Sequence, residues 1–353
     1  MSTRSFSVTE NEAHQRLDRF LRKLLEDVSL SAIYKLIRTR QITLNGGRAA
    51  PEARLKPGDV IVFKQAASDR HMEPRVRKRA EGGLSTRRDF RIVFEDSHLL
   101  CVNKPAGLLV HAGDRGESAD TLIDQVTGYL VSAPRQGADS LKDFVRPSPT
   151  FAPNLAHRLD RDTSGLVLIG KTLPATQALT DMIKHRRIQK LYLALIYGSL
   201  PRGEGVIDVP LQRHEDGKGR RRKVQVGQGQ RAVTRYKVLA TRGPCSLVEL
   251  ELVTGRTHQL RAHLAHLQSP IVGDDEYGAR EKNRHAREKL GLQRQFLHAA
   301  KLSFEHPVTR EALTLCAPLW PDLARALEAG GFWANDLPAW VAAAKDYAPG
   351  AAP

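Results

Sequence analysis

Between Gln65 and Asp89 the chain reads QAASDRHMEPRVRKRAEGGLSTRRD, with no apolar period, adjacent glycines at 82 and 83, and seven arginines or lysines. A segment of that kind has too little apolar surface to bury. It therefore divides the chain of 353 residues into two units, each of which must build its own core. Residues 66–89 read as a basic linker, able to lie along a phosphate polymer without folding beforehand.

In the first unit, residues 1–65, Leu17, Phe20, Leu21, Leu24, Leu25 and Val28 recur at steps of three and four, which predicts one face of a helix. After a cap at Ser29 or Ser31, Ile33, Leu36 and Ile37 predict a second, short helix. ITLNGGRAA then reads as a strand entering an Asn-Gly turn, and LKPGDVIVF as a Pro-Gly turn leading into another strand. Arg16, Arg19, Arg22, Lys23, Lys35, Arg38, Arg40 and Arg48 fall near these helices and turns, either as a solvated face or as a nucleic-acid footprint.

The second unit spans residues 90–334, with a tail from 335 to 353 holding one short helix and a disordered end. FRIVFEDSHLLCVNKPAGLLVH predicts two strands about an acidic turn, and a helix is expected over Thr121–Leu130. Ser132–Pro153 reads as an inserted loop, and RHEDGKGRRRKVQV as a basic excursion. Pro174 suits the start of a helix that buries Leu179, Met182 and Ile183. Strands predominate at hairpin-like spacings without a strict βαβ rhythm, so the class is α+β with a largely antiparallel sheet.

Lys plus Arg exceed Asp plus Glu by 55 to 39, a net charge of +16 that favours approach to nucleic acid. No apolar run nears the ~20 residues of a membrane span, and the start of the chain lacks a secretory pattern, so the expectation is a cytoplasmic protein, monomeric by default. Cys101, Cys245 and Cys316 are odd in number and set among apolar neighbours, which predicts structural thiols. His258, His263 and His266 are spaced five and three apart, which matches no strong zinc motif. Those histidines read as helical surface or RNA contact.

Polar groups fall where their neighbours predict burial in four segments: NKPAGLLVH, HRLDRDTSG, KLYLAL and LVTGRTHQLRAHL. Asp160 lies between Arg158 and Arg161, ahead of a glycine and of the run Leu166–Ile169, which predicts a strand buried on both faces. A carboxylate at such an edge needs a cationic partner. Arg256, after the turn at Gly255, is one candidate to reach it; otherwise it is a solvated loop charge. Tyr192 shares a strand face with Ala194 and Ile196, opposite Leu191, Leu193 and Leu195, and its ring is either core or a stacking platform for a base.

HRLDRDTSGLVLIGKT, preceded by NKPAGLLVH and followed by KLYLALIYG and LVTGRTHQLRAHLAHLQSPIVGDDEYG, resembles the ordered motifs of the RluA-type pseudouridine synthases. The first unit, with QITLNG and LKPGDVIVF, is similar to the S4 RNA-binding domain. Together they look like the branch that acts on large-subunit (23S) ribosomal RNA. The resemblance implies a pseudouridine synthase fold with no metal and no cofactor. By motif position it implies that Asp160 is the catalytic aspartate, Tyr192 the aromatic that stacks on the uracil, and Arg256 the arginine paired with the aspartate. Arg158 matches the arginine that replaces the flipped nucleotide, and Leu260 the apolar floor of the pocket. The alternatives are the same chemistry on another ribosomal or transfer RNA site, or a non-catalytic rRNA-binding or ribosome-assembly protein.

Overall fold

The computed structural model describes residues 4–25, 28–64, 85–112, 120–132, 152–215 and 222–342. Most of the linker, most of the inserted loop, the stretch 113–119, the tip of the basic excursion and the end of the tail lie outside the described residues.

In the first unit β1 (Arg4–Ser7) is followed by α1 (Leu17–Leu24), α2 (Leu30–Arg38), β2 (Ile42–Leu44) and β3 (Val60–Phe63). The strand order is β1-β3-β2, antiparallel throughout. The apolar stripe read from the sequence is the core: Leu17, Phe20, Leu21, Leu24, Ile33 and Ile37 pack on Ile42, Ile61 and Phe63. Ser29 caps α2 by accepting from Ala32 N at 3.3 Å. Asn45 and Gly46, at φ 53° and 73°, turn β2 back so that Leu44 and Gly47 exchange backbone hydrogen bonds. Positive φ at both central residues is what this tight turn demands. Only Phe6 marks β1 in its sequence RSFS, too little for a period to be read.

The second unit is built on β4 (Arg91–Glu95), β5 (Leu99–Lys104), β6 (Asn154–Leu155), β7 (Ser164–Gly170), β8 (Gln189–Tyr197), β9 (Glu204–Asp208), β12 (Val233–Arg242), β13 (Cys245–Leu252), β14 (Leu297–Glu305) and β15 (Ala312–Cys316), with β10 (Leu211–Glu215) and β11 (Arg222–Val226) forming a separate hairpin. The main path runs β4-β5-β7-β14-β8-β13-β12-β9, with β6 on β7 and β15 on β14. Among the described residues only β7 and β14 run parallel; the remaining pairs are antiparallel.

Every residue of β7 is buried. Val167 and Ile169 face one core with Leu100, Val102, Tyr192 and Leu250, while Leu166 and Leu168 face another with Leu99, Cys101, Leu179 and Met182. Two-sided burial explains why this strand reads as a continuous apolar run rather than an alternation. The second core is closed by the helix Leu173–Lys184, capped by Thr172 and carrying Pro174 in its first turn. Gly165 cannot be replaced without moving backbone. Its φ is +117°, and a Cβ there would lie 2.2 Å from the carbonyl oxygen of Ala299 on β14.

Packing continues past Asn335 into the expected tail, since the helix Ala339–Ala342 buries Val341 against Leu193 and Ala300 on the side of β8 opposite Tyr192.

Candidate active site

Asp160 lies on the turn that joins β6 to β7, and that turn is tied down from both sides. Lys104, at the end of β5, is fully buried, and its Nζ donates to the carbonyls of Pro105, Leu108 and Arg161 at 2.8, 2.9 and 2.9 Å. Burial pushes the Lys104 ammonium down to about 7. Gly107 N also donates to Arg161 O, at 2.9 Å. On the far side Arg294 Nη1 donates to Asp162 O at 3.3 Å and Nη2 to Ser164 Oγ at 3.2 Å, while Asp322 accepts from Arg294 Nε at 2.7 Å. Gln295 Nε2 reaches Thr163 Oγ1 at 2.7 Å. Asp160 therefore projects from a backbone with little freedom, its side chain 28% exposed.

The cation on Asp160 is Arg261, which corrects the expectation that Arg256 pairs with it. Arg261 Nη1 donates to Asp160 Oδ2 at 3.2 Å. Its Nε and Nη2 grip the two oxygens of fully buried Asp274 at 2.6 and 2.9 Å, and Nη2 also reaches Glu276 Oε2 at 3.1 Å. Burial alone would lower the Arg261 pKa, but Asp274, Asp160 and Glu276 outweigh it and hold the guanidinium above its ordinary value. Arg256 sits before the helix Gln259–His266, exposed, with Nε donating to the carbonyl of Arg231 at 3.3 Å. The physical reason is helical geometry. Gln259 accepts from the Arg256 amide and so anchors Arg256 at the mouth of the helix, whereas Arg261 lies within the helix, in the run Gln259–Leu264 that is buried throughout.

Sequence reasoning also missed His258. Its backbone is left-handed, at φ +54°, and its ring bridges two acids. Nε2 lies 4.0 Å from Asp160 Oδ1, and Nδ1 lies 3.4 Å from Glu276 Oε2 and 3.2 Å from the Tyr277 hydroxyl. Glu276 is opposed by burial, which favours its neutral form, but His258 and Arg261 prevail and keep its pKa low. The signal that was available for Arg261 is a charged residue set between Leu260, Ala262 and Leu264 within a helix; for His258 nothing local distinguishes it.

Tyr192 is 4% exposed and belongs to the main core with Leu260 and Leu250. Burial, and then the negative charge of Asp160, push its phenol above the ordinary range, so it stays protonated. Leu260 is equally buried. Arg158 is exposed two residues before Asp160, and its charge adds to burial in lowering the pKa of His111. Structure thus gathers Asp160, Tyr192 and Arg261 with the Leu260 helix behind them, and leaves Arg256 on the flank. The three histidines read as helical surface or RNA contact diverge: His266 is exposed, while His263 is buried between Thr234 Oγ1 and the Val209 carbonyl at 3.0 and 2.9 Å. Among the described residues no three His, Cys, Asp or Glu side chains are grouped to hold a metal ion, and no helix is long and apolar enough to cross a membrane.

Residues 98–266 match the family model described as RNA pseudouridylate synthase, and residues 15–61 match the S4 domain. The ribosomal large subunit pseudouridine synthase C of Pasteurella multocida (strain Pm70) is 34% identical over 93% of this chain and 94% of its own length. The chain belongs to the RNA pseudouridylate synthase family. The protein of the same name in Escherichia coli (strain K12) is 36% identical, over 93% of this chain and 96% of its own. Among solved pseudouridylate synthases, human RNA pseudouridylate synthase domain containing 4 superposes with a TM-score of 0.50 at 27% identity, covering 68% of this chain and 92% of that one. The turn carrying Asp160 and the helix carrying Arg261 both fall inside the segment matched to the pseudouridylate synthase model.

Proposed function

We propose that this pseudouridine synthase isomerises specific uridines of large-subunit (23S) ribosomal RNA, with Asp160 starting the reaction. The observation that carries this reading is the pairing of a partly exposed Asp160 with Arg261, beside the buried ring of Tyr192. Support for the RNA target comes from the likeness to proteins named for the large ribosomal subunit.

The reaction breaks the N1–C1′ bond, rotates the uracil, joins C5 to C1′ and moves the C5 proton to N1. Composition and oxidation state are unchanged, so no co-reactant is consumed. Asp160 supplies the carboxylate that begins it, either as a nucleophile or as the base that removes the C2′ proton. Arg261 keeps that carboxylate oriented and charge-balanced. Extruding a base from structured RNA costs a few kcal/mol, which Tyr192 offsets by stacking on the uracil and Arg158 by filling the vacated space. Leu260 closes the apolar floor. The S4 unit adds affinity through phosphate contacts. The enzyme works as a monomer in the cytoplasm, a compartment in which its three free cysteines stay reduced.

The test is a map of pseudouridines in ribosomal and transfer RNA from cells with and without the gene, with complementation by wild type and by Asp160→Asn. Loss of large-subunit positions, restored by wild type alone, is the expected result. Unchanged large-subunit positions would remove the proposed target, and restoration by Asp160→Asn would remove the chemistry assigned to that residue.

A further inference from the structure

Arg256, displaced from the ion pair, borders a cavity of about 380 Å³ on the flank of the active site. Leu211 and Val224, one from each strand of the β10–β11 hairpin, give it an apolar floor; Gln212, Gln230 and Arg256 stand on its exposed rim; Gly255 leaves it open. The walls are fixed. Leu211 and Gln230 exchange two backbone hydrogen bonds of 2.9 Å, which tie the hairpin to the returning chain, and the Arg231 carbonyl holds Arg256 Nε. Among the described residues no carboxylate forms an ion pair with Arg256, whereas neighbouring Arg231 is taken by Asp208 at 2.8 Å.

The cavity is also close to the chemistry. Arg256 is two residues before His258, whose Nε2 lies 4.0 Å from Asp160, and successive residues advance by about 3.8 Å. Its volume falls within the range of about 300–1,000 Å³ typical of small-molecule sites. An apolar floor receives a flat ring, side-chain amides can donate to and accept from a base edge, and a guanidinium without a carboxylate suits a phosphate.

We propose that this cavity is a subsite for one nucleotide of the RNA adjacent to the target uridine, with its base over Leu211 and Val224, Gln212 and Gln230 at the base edge, and Arg256 on its phosphate. The subsite rests on the function proposed above and adds to it a determinant of which uridines are chosen. It also accounts for an exposed arginine beside the active site that does not touch Asp160.

Gly255 provides the test, because a Cβ built there meets no atom within 4 Å and its backbone is not left-handed, so a larger side chain enters the cavity rather than the fold. The full-length protein carrying Asp160→Asn, which blocks turnover, is titrated with a synthetic stem-loop around a mapped target uridine, and with versions abasic at the nucleotide immediately 5′ or 3′ of it. Gly255→Leu is expected to weaken binding of the intact RNA about tenfold or more, the scale of one stacked base, while Gly255→Ala changes it little. With one of the two abasic RNAs, the penalty of Gly255→Leu should vanish. Equal binding of the intact RNA by Gly255→Leu, or the same penalty on all three RNAs, would overturn the subsite. Should Gly255→Leu fail to fold by circular dichroism, Arg256→Gln and Gln230→Leu are carried through the same cycle. Conversion of the intact stem-loop by the wild-type protein is measured in parallel. A wild type that converts no uridine overturns the enzymatic reading and the subsite with it, while conversion without the cycle overturns the subsite alone.

Discussion

The guanidinium of Arg261 is shared between Asp160 and Asp274: Nη1 donates to Asp160 at 3.2 Å, while Nε and Nη2 hold both oxygens of Asp274. Asp274 is itself fixed by accepting the amides of Glu276 and Tyr277, both at 3.0 Å, and Asn283 Nδ2 binds its carbonyl at 2.7 Å. The acid of the site is thus braced through an arginine against a second, fully buried acid.

Two substitutions separate the strength of that brace from its shape. Arg261→Met leaves Asp274 buried and unpaired, and should destabilise the protein by about 3–5 kcal/mol in denaturant unfolding. Arg261→Lys keeps a charge but cannot form the fork, so it should remain folded while pseudouridine formation falls by about a hundredfold or more. Full activity in Arg261→Lys would show that charge alone suffices.

His258 is held in a left-handed conformation with its ring between Asp160 and Glu276. Glycine adopts that backbone without steric cost and removes the ring. His258→Gly should therefore melt at or above the wild-type temperature while single-turnover rate falls by about a hundredfold, the lower end of what a positioned group contributes. Parallel losses of stability and rate would mean the ring is only structural.

In the S4 unit Arg19, Arg22, Lys23, Lys35, Arg38, Arg40 and Arg48 are exposed, whereas Arg16 is half-buried and pinned to Asp18 at 2.7 and 3.1 Å. Replacing Lys35, Arg38 and Arg40 with glutamine should weaken RNA binding and flatten the plot of log affinity against log salt by about 0.7–0.9 for each phosphate no longer neutralised. Arg16→Gln should instead lower stability. An unchanged salt slope in the triple variant would place the RNA elsewhere.

Stability should fall in acid because two imidazoles, half-buried His157 and fully buried His298, are held neutral in the fold. Burial pushes His157 down to about 3 and His298 down to about 4, against an ordinary value of 6.5. His157 Nε2 accepts from Leu168 N at 3.2 Å, and His298 Nδ1 pairs with Ser164 Oγ at 2.9 Å. Between pH 6.5 and about 4 the unfolded chain takes up protons that the folded one refuses, so unfolding becomes easier as pH falls. His157→Gln removes one such proton and should flatten unfolding free energy against pH by up to about 1.4 kcal/mol per unit in that window. An identical slope in the variant would mean His157 already titrates normally.

Much of this architecture was legible in the chain. Periods of three and four marked α1 and α2, the apolar run 166–169 marked a strand buried on both faces, and Asn45-Gly46 marked the turn after β2. Each of these is settled by neighbours within a few residues, because helical and strand periodicities and positive φ are local properties. Asp160 was equally legible as a carboxylate at the edge of a core, in need of a cation. The identity of that cation was not. Arg256 and Arg261 lie five residues apart in one motif, and only the start of the helix at Gln259, with its buried face turned to Asp160, selects the second. Lys104 and Arg294, 190 residues apart, hold the same turn, and His258 meets Glu276 across a bend of the chain. Contacts of that kind depend on the sheet order that brings β5, β7 and β14 side by side, and sequence spacing carries no measure of it. Chemistry-bearing residue types were written in the motifs; which of them touch was decided by the folded sheet, since ion pairing requires an approach of a few ångströms that only packing enforces.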